Sequence, residues 1–207
     1  MRQICHRPLL LSAALVCLGF GQPVTQSTTQ TPTKPTTQPA TQTATQPDDA
    51  SLPGAWLGTW SGKATLHQPG QVEPVSRFRM TLTVGPFDGD GHDWTLIYES
   101  EDGAKQVREY RLVPTGPGRF EMDEQNGIVL PHVLSDGELR AIFAVQAGGR
   151  QSSLVSRFCL GDDDEGPGLT VTIDTFFAGP ATRPATGLEV TSFEPAMVQH
   201  AVLRARE

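Results

Sequence analysis

The sequence predicts an all-β protein, an antiparallel up-and-down meander of about ten strands closed into a single barrel with little helix. Three observations predict it. Apolar residues recur with period two through most of the chain after residue 52, turn signals rich in Gly and Asp separate these runs, and no helical period extends beyond one turn near 53–57. A long meander must shut or leave two edges open to aggregation, and closure removes both edges. A β-sandwich is the alternative, because the longest loop, 178–189, has the length of a crossover between sheets.

The strands follow from the alternation. The first spans 56–67. In the second, Phe78, Met80, Leu82 and Val84 alternate with Arg77, Arg79, Thr81 and Thr83 before a turn at 86–91. In the third, Trp94, Leu96 and Tyr98 alternate with Thr95, Ile97 and Glu99 before Asp102-Gly103. Runs at 106–113, 119–124, 128–134, 138–146 and 151–160 are separated by Gly116-Pro117-Gly118, Asn126-Gly127, Asp136-Gly137 and Gly148-Gly149. These are hairpin signals, since Gly accepts positive φ and Asn and Asp tolerate it. An acidic loop, Asp162 to Glu165, leads into 169–177, and the last strand spans 190–206.

Ahead of the strands lie two segments of other composition. Arg2 and Arg7 precede the apolar run 9–18 and the small residues Gly19 and Gly21, the pattern of a signal peptide over 1–21 cut before Gln22. The run is short of the roughly 20 apolar residues that span a bilayer. Residues 22–51 are dominated by Thr, Gln and Pro, too poor in apolar surface to offset the entropy of ordering, and read as a disordered linker. The folded domain is then 52–207. The expected address is outside the cytoplasm: periplasmic, cell-envelope or secreted, with no membrane span once the signal is removed.

Cleavage removes Cys5 and Cys17 and leaves Cys159 alone, so no internal disulfide forms. Between Phe158 and Leu160, Cys159 is expected to be buried as a small hydrophobe. The net charge of −7 argues against nucleic acid, which requires clustered Lys and Arg.

Trp56-Leu57-Gly58-Thr59-Trp60-Ser61-Gly62 resembles the Gly-x-Trp signature that opens the first strand of lipocalins and other calycin barrels, including the nitrobindin-like and fatty-acid-binding subtypes. The resemblance implies a barrel whose end is plugged by Trp60, with a basic residue of the last strand, Arg204 or Arg206, laid across the indole and Gly58 bending the backbone beneath. It also implies small-ligand binding and, for the nitrobindin-like subtype, haem held by a histidine near the C-terminus, for which His200 is the candidate. Two family features are missing: the calycin disulfide, and the helix pair that lids fatty-acid-binding barrels.

The expected function is therefore binding of a small apolar or amphipathic ligand inside the barrel. The lining is drawn from Phe78, Met80, Trp94, Tyr98, Phe143, Phe158 and His200, although several strands are apolar on both faces and leave the inward face open. No cofactor beyond the haem option is expected. The loop Asp88-Gly89-Asp90-Gly91-His92-Asp93 fails as a calcium site, since Asp93 stands where the sharp turn needs Gly, and reads as a hairpin turn. No nucleophile elbow, paired metal histidines, phosphate loop or Cys-x-x-Cys is present, so no catalytic or metal residue is assigned. The alternatives are a non-catalytic envelope module with a filled barrel, and an enzyme using carboxylates at the barrel mouth. Oligomeric state is open.

Overall fold

The computed structural model describes residues 51–206, apart from 148, 180–186, 188 and 189. The expected signal peptide, nearly all of the expected linker and most of the loop 178–189 lie outside the described residues. A single 3-10 turn, Gly54–Trp56, precedes ten strands. These are β1 (Gly58–His67), β2 (Ser76–Val84), β3 (His92–Ser100), β4 (Lys105–Gly116), β5 (Arg119–Asp123), β6 (Val129–Ser135), β7 (Glu138–Ala147), β8 (Arg150–Asp163), β9 (Gly166–Ala178) and β10 (Phe193–Ala205).

Each strand pairs antiparallel with its neighbours in chain order, and β10 returns to pair with β1, closing the barrel. The seam runs from Trp60 opposite Ala205 to His67 opposite Val198. The sandwich alternative falls here, because all ten strands form one closed barrel in which β9 and β10 are adjacent antiparallel partners. The acidic loop is shorter than the sequence suggested: β8 and β9 stay paired as far as Asp163 and Gly166, and only Asp164 and Glu165 turn the chain.

Glycine is required where backbone geometry leaves no choice. Gly58 enters β1 at φ +116°, a conformation that side chains with a Cβ disfavour. Gly62 sits so close to β10 that a Cβ would lie 2.0 Å from the carbonyl oxygen of Val202. The seam between β1 and β10 is thus a backbone-to-backbone contact.

Alternation assigns the faces. Trp60, Leu82, Trp94, Leu112, Phe120, Leu139, Phe158, Leu169 and Leu203 turn inward and are buried, forming about half of the core. Their neighbours in sequence, among them Lys63, Arg79, Glu99, Glu109 and Arg157, turn outward. Phe158 and Leu160 both face in, so Cys159 between them faces out and is exposed, contrary to expectation. Period two cannot bury three consecutive residues on one face.

The wall is unevenly laced. β7 pairs with β8 through ten residue pairs but with β6 through three, Val133 to Ser135 opposite Arg140 to Glu138. Pro131 lies in β6 just before that short contact and has no N–H to donate across it.

Candidate functional site

The two ends of the interior differ. At the end where β1, β3 and β5 begin, the 3-10 turn lies across the opening, with Leu52 and Trp56 buried beneath it. Trp56 stacks at a tilt on Trp94 with ring centres 6.3 Å apart, and Trp94 meets Phe158 edge-on at 5.1 Å. The Trp60 indole N–H donates to the Trp56 carbonyl at 3.0 Å. His92, 1% exposed, braces the turn from inside: one ring nitrogen lies 3.0 Å from the Gly85 carbonyl oxygen, and the other accepts from the Leu52 N–H at 3.4 Å. This end is filled.

The closure therefore takes another form from the one the Gly-x-Trp resemblance implies. Register sets Ala205 opposite Trp60 and Arg204 opposite Ser61, so Arg204 and Arg206 belong to the other face of β10. The Arg204 guanidinium bonds the Gly166 carbonyl and the Glu165 carboxylate at the β8–β9 turn, while Arg206 donates its backbone N–H to Thr59. Trp60 is buried as expected, covered by the Trp56 turn.

At the opposite end, where β2 and β4 begin, the inward side chains include Phe78, Tyr98, Gln106, Arg108, Phe143 and Gln199, all partly exposed. Phe78 and Tyr98 contact each other with ring centres 5.9 Å apart. The Arg108 guanidinium stands 5.6 Å over the Tyr98 ring and beside the Tyr110 hydroxyl, whose ionised form it favours. Burial pushes the Tyr98 phenol up to about 12, against the pull of Arg108 and of the Gln199 amide that approaches it. Burial raises Tyr110 too. Both hydroxyls are neutral donors at physiological pH.

Three polar atoms in this half are buried and have no hydrogen-bond partner: Oε1 of Gln106, Nε of Arg108 and Nε2 of Gln199. None of the ion pairs among the described residues includes Arg108. Glu124, the buried carboxylate just beyond β5, acts on Tyr110 and takes a bond from Asn126 instead. Such unpaired groups normally cost on the order of 1–3 kcal/mol each.

Of the seven lining residues read from the sequence, the structure turns six inward. Phe78, Met80, Tyr98 and Phe143 fall toward the open half, while Trp94 and Phe158 belong to the filled end. His200 does not join them. It pairs with Thr65 on the outer face and is exposed, with Ala201 beside it facing in, so it reaches no ligand inside the barrel and the residues present do not fit the proposed haem ligation. Sequence reasoning missed Gln106, Arg108, Tyr110, Glu124, His132 and Gln199. His132 is 3% exposed, and burial lowers its pKa from the ordinary value although the Leu130 carbonyl, 2.9 Å from Nδ1, favours the charged ring.

Two surface features are set apart from the interior. The loop 86–91 is a turn whose carboxylate is already engaged: Asp88 accepts from the Asp90 and Gly91 N–H groups and pairs with Arg111, which also holds Asp93 at 2.7 Å. Those contacts hold the Asp88 carboxyl well below the usual carboxylate range. A concavity of about 540 Å³ over β1–β3 is bordered by the outward residues Lys63, Thr65, Arg77, Arg79 and Glu99 and also by Ala64 and Phe78, which alternate inward.

Neither a family model nor a curated protein matches the sequence. Among solved structures, the chain is similar to Rv2717c from M. tuberculosis, with 13% identity over 74% of this chain and 94% of that one at a TM-score of 0.45. It is also similar to lobster apocrustacyanin A1, with 14% identity over 74% of this chain and 62% of that one at a TM-score of 0.28. The fold assignment rests on strand order and closure: ten consecutive antiparallel strands with the last paired to the first make a closed up-and-down barrel, the architecture that lipocalins share.

Proposed function

We propose that the protein is an exported carrier or sensor that binds one small amphipathic molecule in the open half of its barrel. One observation carries the reading: Gln106, Arg108 and Gln199 present unpartnered polar atoms among the part-exposed rings of Phe78, Tyr98 and Phe143. A binding cavity of this kind is mostly apolar with a few convergent polar groups that fix orientation. Binding free energy would come from apolar area removed from water, at about 25 cal/mol per Å². Export is the part of the reading supported by the N-terminal leader and the Thr/Gln/Pro spacer of the sequence.

The test is native mass spectrometry and an absorbance spectrum of protein purified from its own host, followed by titration of the stripped protein with dodecan-1-ol and dodecanoate. A co-purifying small molecule, or saturable one-to-one binding of either probe, is expected. Clean apo protein that binds neither probe would leave the filled envelope module as the better reading. A Soret band would return haem to consideration with a ligand other than His200. Turnover of an ester or isomerisable substrate, lost on Glu124→Gln, would support the enzyme alternative.

A further inference from the structure

We infer that His132 is an acid-operated release in the wall between β6 and β7: a proton on its ring favours a form in which these two strands separate and the imidazolium reaches water. The device belongs to the wall alone and stands or falls apart from what the interior binds.

His132 lies on the weakly held side of its strand. β6 is joined to β5 through five residue pairs, Val129 to Val133, with His132 opposite Phe120. Its other side meets β7 only at Val133 to Ser135. Carried one residue further, that register would set His132 against Ala141, but the pairing has ended there. Among the described residues no ion pair or side-chain hydrogen bond links the two strands: Arg140 pairs with Glu138 of its own strand, and Ser135 bonds Asp136 in the turn. The outward side chains along the junction include Val129, Val133 and Ile142, apolar and exposed. A junction with few backbone bonds and no charge pairing opens locally at lower cost than strands laced along their length.

The ring is held in its neutral form. Nδ1 lies 2.9 Å from the Leu130 carbonyl oxygen, which can only accept, so the proton is on Nδ1 and the lone pair on Nε2. A second proton would place a charge beside Phe120, Leu139 and Ala141, the buried inward residues of the flanking strands. The inward ionisable groups of the other elements are Tyr98, Arg108 and Tyr110, the Glu124 carboxylate beyond β5, and His92 at the closed end. None of them acts on His132, whose basicity is set first by burial and second by the Leu130 carbonyl. The charges of the flanking strands, Arg119, Glu121, Asp123, Glu138 and Arg140, alternate to the outer face. No carboxylate of the closed wall is thus placed to pair with the imidazolium, and water reached through the junction is what stabilises it.

The sign follows from linkage. Burial lowers the pKa in the closed wall, so the closed form resists a proton that the opened form accepts near the ordinary value of about 6.5. Opening is unaffected well above that pH and grows below it, by at most about tenfold per pH unit.

The experiment is amide hydrogen exchange of the intact protein, resolved by residue and corrected for the intrinsic rate, at about pH 7.5 and about pH 5. Protection across the β6–β7 junction, at 133–135 and 138–140, should fall about tenfold to thirtyfold in acid, while β8 and β9 amides change by less than about twofold. In His132→Phe the junction should lose this dependence and stay within about twofold between the two pH values. Equal loss in β8 and β9 overturns the inference, because acid then loosens the whole barrel. Unchanged protection in the wild-type protein, or the same local loss in His132→Phe, also overturns it. Should His132→Phe fail to fold, His132→Gln decides the question, since its amide can still donate to Leu130 but takes no proton.

Discussion

The closed and open halves of this barrel are built from the same strands and solve opposite problems. In the closed half His92 and the Trp60 indole are tied to the backbone or to the turn that covers them, while the Trp94 indole N–H is buried without an acceptor. In the open half Gln106, Arg108 and Gln199 keep polar atoms buried and unpaired. The aromatic packing lies at one end, and buried polar atoms that cost stability lie at the other.

The contrast is sharpest in large-to-small substitutions. Trp94→Ala removes a fully buried ring from contact with Trp56 and Phe158 and should cost about 3–5 kcal/mol in urea unfolding. Phe78→Ala, at the open end, should cost less than about 1.5 kcal/mol because its ring is partly exposed already. Equal costs would show the two halves to be packed alike. Gly62→Ala tests the seam that joins both halves; with the Val202 carbonyl 2.0 Å from the new Cβ, β1 and β10 must separate, at about 2–4 kcal/mol by the same measurement.

Polar-to-apolar changes should differ in sign between the ends. His92→Leu breaks the brace on Leu52 and strands the Gly85 carbonyl, a loss of about 1–3 kcal/mol. Arg108→Leu deletes a partly exposed charge whose Nε is buried without an acceptor and should leave the protein unchanged or more stable by up to about 2 kcal/mol. Destabilisation by Arg108→Leu as large as that of His92→Leu would mean the open half is a structural network rather than the binding site proposed above.

The smallest effect expected is a pH dependence. His132 is buried and its folded pKa lies below the ordinary 6.5, so below that pH the unfolded chain takes up a proton that the folded one resists. Its contribution is therefore complete above about pH 6.5 and declines as the pH falls toward the folded pKa. His132→Phe should flatten the change in Tm between about pH 7.5 and 5; an unaltered slope would assign the dependence to other groups.

Much of the barrel was legible because its signals are local. Turn residues and period two place ten strands with ends displaced by a few residues, and the pairing of β1 with β10 follows once a meander of that length is required to close. Facing was legible only where one face is apolar. β2 satisfies this, with Phe78, Met80, Leu82 and Val84 against Arg77, Arg79, Thr81 and Thr83. β10 does not: Val198 and Val202 are apolar on the outside, Ala201 and Leu203 on the inside, and nothing in the run tells which face His200 shares. The polar half of the interior was invisible for a related reason. Near the start of β4, Gln106 and Arg108 alternate with Val107 and Glu109, so neither face reads as a core. Cys159 is different, since strict alternation through Phe158 and Leu160 already turns it outward.

The three-pair contact between β6 and β7 gives the wall a preferred place to part. Amides of β7 beyond Arg140 have no partner on the β6 side, and on that flank should exchange with deuterium long before those shared with β8. A slit opening there would leave the indole-stoppered floor undisturbed.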